Sequence, residues 1–229
     1  MARQRQIVGL GGGGDTDDES GRLYGYIAGL TDVERPRICY VPTASADSEE
    51  AIASFHHGPW SQLGELSVVC FFPWPPEGLR EHILAQDIVV VSGGNTANML
   101  AVWRVHGFDG ILREAWEAGV VLTGASAGMI CWFEAGVTDS FGPQLEGMHD
   151  GLGFLPGSAC PHYHGEELRR PRYAQLVGNG FPGGLAADDG VGLHFVGTEL
   201  VDAVACTPGA SAYRVTRAGE EPVPTRLLA

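Results

Sequence analysis

Ser126 is the residue of this sequence best placed for covalent chemistry. It is the centre of Gly124-Ala125-Ser126-Ala127-Gly128. Before it runs an apolar, β-branched stretch, Val120-Val121-Leu122-Thr123, that reads as a buried strand. After it, Ala127 to Phe133 reads as the start of an apolar helix. A serine at such a corner, with a small residue on each side, has the form of a nucleophile elbow: the tight turn drives the hydroxyl clear of the backbone and leaves room for a substrate. The N–H of Ala127, at the helix start, then faces the place where an oxyanion would form. In a chain with 34 glycines a Gly-x-Ser-x-Gly motif is not specific by itself. The sequence must also supply a base, an acid and a second oxyanion donor.

Two histidines compete for the base. His162 follows a proline in Cys160-Pro161-His162-Tyr163-His164-Gly165, and His164, two residues on, would point the same way in an extended segment. A His-x-His pair can hold a metal, but no third ligand with suitable spacing accompanies it, so neither metal nor cofactor is expected. The acid is either Asp188 or Asp189, in a turn ahead of the strand Val191 to Val196. The second donor comes from Ser92-Gly93-Gly94-Asn95-Thr96, where Gly93 and Gly94 let backbone N–H groups approach a ligand and Asn95 adds an amide. The plainer reading of that loop is a helix cap, for which Asn and Thr are suited.

The elements that must hold these groups follow from the hydrophobic pattern. Gln6 to Leu10 is a strand ending in Gly11-Gly12-Gly13-Gly14, which lacks the Gly-Lys-Ser/Thr of a phosphate loop and reads as a flexible turn. Arg22 to Leu30 reads as a helix, Arg37 to Thr43 as a strand, Ser48 to Leu63 as one helix and Leu66 to Phe72 as a third strand. Leu79 to Ala85 is a short helix, Asp87 to Val91 a near-continuous apolar strand, and Ala97 to His106 a helix. Further on, Asp139 to Asp150 reads as loop, Glu166 to Val177 as a charged helix and Val201 to Val215 as a hairpin around Pro208-Gly209. Apolar strands alternating with helices predict an α/β fold: a doubly wound, mostly parallel sheet with helices on both faces. In such a sheet the loops after consecutive strands gather at one edge, so the Gly93-Gly94 loop and the Ser126 elbow should be neighbours. No repeat or linker divides residues 1–229, which read as a single domain.

Composition narrows the function. A net charge of −14 argues against nucleic acid. All 14 basic residues are arginine, which removes Schiff-base lysines, Ser-Lys dyads and lysine-bearing phosphate loops. The five cysteines, Cys39, Cys70, Cys131, Cys160 and Cys206, form no C-x-x-C pair and read as core side chains. Trp103 and Trp116 also read as core. No apolar run approaches the ~18 residues of a membrane span, and no secretory segment precedes the first strand. The expectation is a cytoplasmic protein with no membrane or nucleic-acid partner, a monomer or homodimer.

With these residues assembled, the chain resembles the peptidase E family, serine dipeptidases that cleave after an N-terminal aspartate. The resemblance rests on Gly93 to Thr96, the Gly-Ala-Ser-Ala-Gly elbow, Pro161-His162-Tyr163, the Gly-Glu helix with spaced arginines, and the acid-Gly turn before a strand. It spans Ser92 to Val196 and implies a sheet like that of class I glutamine amidotransferases, with serine in place of cysteine. It further implies Ser126 as nucleophile, His162 as base and Asp189 as third member, where the family can use glutamate. Gly94 and Ala127 would supply the oxyanion N–H groups, with Gly93 and Asn95 beside the small peptide substrate. Arg169 and Arg172 match an arginine pair, one of which would hold the substrate's aspartate carboxylate. The order Ser, His, Asp departs from the Ser, Asp, His of ordinary α/β-hydrolases. A cyanophycinase-like hydrolase of β-Asp-Arg units, a small-acyl esterase and a catalytically silent binding protein are the competing readings.

Overall fold

The computed structural model describes residues 3–12 and 21–229. Gly13 and Gly14, half of the predicted flexible turn, lie outside the described residues. In chain order the elements are β1 (Gln6–Leu10), α1 (Arg22–Ala28), β2 (Arg37–Val41), α2 (Glu49–His57), α3 (Trp60–Leu63), β3 (Glu65–Val68), α4 (Leu79–Leu84) and β4 (Ile88–Val91). Then come α5 (Thr96–Val105), α6 (Phe108–Glu117), β5 (Val121–Ala125), α7 (Ala127–Ile130), β6 (Phe133–Thr138), β7 (Glu146–Met148) and β8 (Leu155–Cys160). The last third holds α8 (Arg169–Gly178), β9 (Gly184–Ala187), β10 (Val191–Val196), β11 (Glu199–Ala205), β12 (Ala212–Thr216), β13 (Gly219–Val223) and β14 (Arg226–Leu227).

Among the described residues two sheets form. The larger has the order β14-β11-β10-β1-β5-β4-β2-β3. From β1 to β3 its strands are parallel, and β10 joins β1 antiparallel. Buried runs such as Ile88–Val91 require cover on both faces, and both are covered. One carries Leu23, Tyr24 and Ile27 of α1 with Phe55 of α2 and Trp60 of α3; the other carries Met99 and Trp103 of α5 with Phe108, Leu112 and Trp116 of α6. The fold is therefore α/β with a doubly wound parallel region, as the apolar strands predict.

The second sheet, ordered β13-β12-β9-β8-β6-β7, with α8 packed against it, has no counterpart in the sequence reading. Its strands are short and rich in Gly, Pro and Ala (Leu155–Cys160 is LPGSAC), so alternation gives no signal there. Several expected elements change accordingly. The helix after Ser126 ends at Ile130, and Phe133 begins β6 instead of extending it. The segment 48–63 is two helices, broken at Gly58-Pro59, and the third strand stops at Val68. The loop 139–150 contains β7, and the charged helix begins at Arg169. The expected hairpin around Pro208-Gly209 is a crossing: β11 belongs to the larger sheet, while β12 pairs with β9 and β13 of the other. Helix α6 was unread, although Phe108, Leu112, Ala115 and Trp116 lie at helical spacing.

At the sheet's other end, Asp87 closes the fold. It is buried and accepts from the Arg37 N–H at 2.9 Å and from the Arg3 guanidinium at 2.9 Å. Burial alone would raise its pKa, but the Arg37 N–H and the two guanidinium charges more than offset this, and the net shift is downward. A carboxyl held below its unfolded value stabilises the protein above that value, and the contribution is lost as pH falls through the folded one. Asp87→Asn should therefore cost about 1–3 kcal/mol near pH 7. Urea titrations of the two proteins should converge as pH drops below about 4; a gap independent of pH would show that the charge is irrelevant.

Candidate active site

Ser126 occupies the turn between β5 and α7 with φ 56° and ψ −110°. A non-glycine residue there stores on the order of 1–3 kcal/mol of strain and persists only when its surroundings fix it. Its N–H donates to the Leu10 carbonyl at 3.2 Å, and its own carbonyl accepts from Met129 and Ile130 at 2.9 and 3.0 Å. Both motif glycines pack on the end of β4: a Cβ at Gly124 would lie 2.5 Å from the Val91 oxygen, and one at Gly128 2.4 Å. The motif is thus a packing requirement that aims a serine, which is half-buried, at the strand ends.

The Gly93-Gly94 loop is its neighbour, as the sheet order demands. A Cβ on Gly93 would sit 3.5 Å from the Ser126 Cβ, and Gly94, with φ 129°, lies against the Ala44 carbonyl. Among the described residues, the N–H groups of Gly93, Gly94 and Ala127 donate to no protein acceptor. Asn95 is occupied: its Oδ1 caps α5 through the Asn98 N–H at 2.9 Å, and its Nδ2 donates to the Ser140 carbonyl at 3.0 Å.

The four acid and base candidates separate into two pairs. His162 Nδ1 lies 2.6 Å from Asp189 Oδ1, and His164 Nδ1 lies 2.7 Å from Asp188 Oδ1. They diverge because His162 has φ 53°, which turns the chain between them. The second pair faces the smaller sheet: Asp188 is buried, also accepts from the Ser211 N–H at 3.0 Å, and His164 rests edge-on against Tyr213. The first faces the end of β1. His162 N–H donates to the Gly11 carbonyl at 2.8 Å, one residue beyond the carbonyl that holds Ser126. Among the described residues no hydrogen bond joins the Ser126 hydroxyl to His162; such contacts are commonly long without substrate.

Two glycines outside the elbow make room for the His162–Asp189 pair, and a third for the backbone just ahead of Asp189. A Cβ on Gly12 would fall 2.1 Å from Asp189 Oδ1 and 2.2 Å from His162 Cε1, and one on Gly165 would fall 1.9 Å from Asp189 Oδ2. Gly11 lies under the Asp188 carbonyl in the same way. Sequence reasoning missed these roles, and treated Gly11 and Gly12 as a flexible turn, because the neighbours that exclude a side chain arrive from residues 162–189.

Arg169 is buried: its guanidinium donates to Glu166 at 2.7 and 3.3 Å and to the Val137 carbonyl at 3.0 Å. Burial would raise the Glu166 pKa, but the Arg169 bond and charge, with His162 nearby, bring it down. Arg172 points elsewhere, to the Leu145 carbonyl and Gln175. The site's neighbouring thiols are silent, because burial pushes Cys160 up to about 12 and Cys131 well above its ordinary value. Among the described residues, no helix is long and apolar enough to cross a membrane.

A serine at a strand-end corner and a His–Asp pair hung from the next strand form an arrangement known from hydrolases, and comparison with known proteins gives the family. The model of peptidase family S51 matches residues 7–202. The chain is 46% identical over 230 residues to the "Uncharacterized peptidase YgaJ" of Bacillus subtilis (strain 168), covering 98% of this chain and 99% of that one. Its fold is similar to a crystal structure of a peptidase from an acI-B1 Actinobacterium, with TM-score 0.68, 16% identity and 98% and 96% of the two chains covered. It is also similar to a 1.5 Å structure described as a "Putative Peptidase E Protein" from Listeria monocytogenes EGD-e, with TM-score 0.64, 15% identity and 89% and 100% covered. The chain belongs to peptidase family S51 and is a serine-type peptidase.

Gly12→Ala tests the glycine requirement. The added methyl must displace the His162–Asp189 pair, so peptidase kcat/KM should fall by at least about a hundredfold while the far-UV circular dichroism stays native. Wild-type turnover in that variant would show that the pair has no part in the reaction.

Proposed function

We propose that this protein is a dipeptidase that hydrolyses the bond after an N-terminal aspartate through an acyl-enzyme on Ser126. The observation that carries the reading is the pairing of His162 with Asp189 at 2.6 Å, hung from the strand-end carbonyl next to the one that holds Ser126. Asp189 fixes the imidazole with its proton on Nδ1, leaving Nε2 to take the Ser126 proton. Ser126 Oγ attacks the peptide carbonyl, and the oxyanion is received by the N–H groups of Gly94 and Ala127, with the Gly93 backbone beside them. His162 passes the proton to the departing amine. Water then attacks the ester, gives its proton to His162, and the aspartate leaves as Ser126 regains its hydrogen.

Arg169 is the proposed partner of the aspartate side chain. Glu166, about half exposed, engages its guanidinium through two oxygens, which supports a role in presenting that group to a carboxylate. In this reading the substrate's carboxylate takes the place of Glu166. Asn95 and Arg172, engaged in the protein's own contacts, act on the loops around the substrate instead of on the substrate. The free thiols of all five cysteines fit a reducing, cytoplasmic setting.

The deciding experiment is hydrolysis of Asp-Leu beside Glu-Leu, Ala-Leu and β-Asp-Arg. Asp-Leu should be turned over selectively, and Ser126→Ala should reduce kcat by at least about a thousandfold. Cleavage of β-Asp-Arg alone would replace the aspartyl reading with a cyanophycinase-like one. The two His–Asp pairs should also separate: Asp189→Asn is expected to cost about a hundred- to ten-thousandfold in kcat. Asp188→Asn should change kcat by less than about tenfold while lowering stability by roughly 1–3 kcal/mol. The reverse ranking would assign the reaction to His164.

A further inference from the structure

A cavity of about 90 Å³ opens beside Ser126, on the face of the sheet covered by α1, α2 and α3. Two aromatic pairs frame it: Tyr40 stacks on Phe55 with centroids 4.7 Å apart, and Tyr24 meets Trp60 edge-on at 4.9 Å. Ala125, the residue before the nucleophile, and Gly93, whose Cβ would be 3.5 Å from that of Ser126, connect it to the reacting centre. Among the described residues its lining holds no charged side chain. Ser92 lines it as well, and its buried hydroxyl has no hydrogen-bond partner among the described residues, which leaves it to bond a water or a backbone group of a bound residue whose side chain fills the rest.

A carboxylate placed here would lose its water with no cation in return, so the cavity is not the seat of the aspartate side chain. An aliphatic side chain loses nothing polar and gains contact with four rings. We propose that this cavity is the subsite for the residue released from the dipeptide, and that it selects an aliphatic side chain such as leucine or valine. The proposal rests on the reading of Ser126 as nucleophile and Arg169 as partner of the aspartate.

The test is kcat/KM for Asp-Gly, Asp-Ser, Asp-Val, Asp-Leu and Asp-Phe on the wild type, on Ala51→Phe, which fills the cavity from α2, and on Phe55→Leu, which enlarges it. Asp-Leu and Asp-Val should exceed Asp-Gly by at least about tenfold. That ratio should fall toward one in Ala51→Phe, and in Phe55→Leu the preference should move to Asp-Phe. Equal rates for Asp-Gly and Asp-Leu, or a ratio unchanged in both variants, would overturn the subsite while leaving the aspartyl dipeptidase intact. If no Asp-dipeptide is hydrolysed, the functional reading fails, and calorimetric titration with L-leucine and glycine decides the subsite. Saturable leucine binding that Ala51→Phe abolishes supports it, and equal or absent binding of both amino acids overturns it.

Discussion

Everything at the site depends on how β1 ends. This strand pairs in parallel with β5, which delivers Ser126, and antiparallel with β10, which begins two residues after Asp189. Leu10 is opposite Ala125 on one side and Gly192 on the other. Beyond the paired region, the carbonyls of Leu10 and Gly11 receive the N–H groups of Ser126 and His162, and the Gly12 carbonyl receives that of Gly190. Three consecutive peptide units thus set the positions of a serine, a histidine and an aspartate drawn from 64 residues of chain, 126 to 189. Backbone hydrogen bonds suit this task, because neither partner can rotate away without breaking the strand end.

The same arrangement explains why two sheets are needed. His162 follows β8 of the smaller sheet, and Asp189 lies in the link between β9 of that sheet and β10 of the larger one. The His–Asp pair is therefore assembled at the seam, and the elbow at the end of β5 is brought to it through β1. Asp188 stabilises the seam from the other side, accepting from the backbone N–H groups of His164 and Ser211 as well as from the His164 ring. Adjacent aspartates point to opposite sides of an extended link, so one turn supplies both a brace and a partner for His162.

Charge is handled locally in a protein whose net charge is −14. The buried Arg169 is neutralised by Glu166, since a guanidinium out of water with no partner would be severely destabilising. Tyr163, next to His162 in sequence, donates to Glu220, which Arg170 also engages; burial first, and then the Glu220 carboxylate, hold its phenol proton on. The residues around the imidazole are in this way fixed by partners of their own, while the Ser126 hydroxyl and His162 Nε2 have no hydrogen-bond partner among the described residues.

Much of this could be read from residue order. The buried runs Ile88–Val91 and Val121–Ala125 declare parallel strands, since only a doubly covered sheet tolerates them, and Gly124 to Gly128 declares a sharp corner at which a serine is exposed. The adjacency of the Gly93 loop and Ser126 followed from strand order alone. What the sequence left open was set by contacts between distant segments. Whether His162 or His164 meets Asp188 or Asp189 depended on a positive φ at His162 that no local pattern encodes. The smaller sheet escaped notice because its strands are too short and small-sided to show alternation. Gly11 and Gly12 looked like turn residues, and Gly165 showed no role beside Asp189, because the atoms that forbid a side chain there belong to residues far along the chain. By itself the sequence determined the corner, the strands and the set of reactive side chains, which are local and periodic properties. Their pairing was decided only by the tertiary structure, because it is a matter of which surfaces come within hydrogen-bonding distance once the two sheets meet.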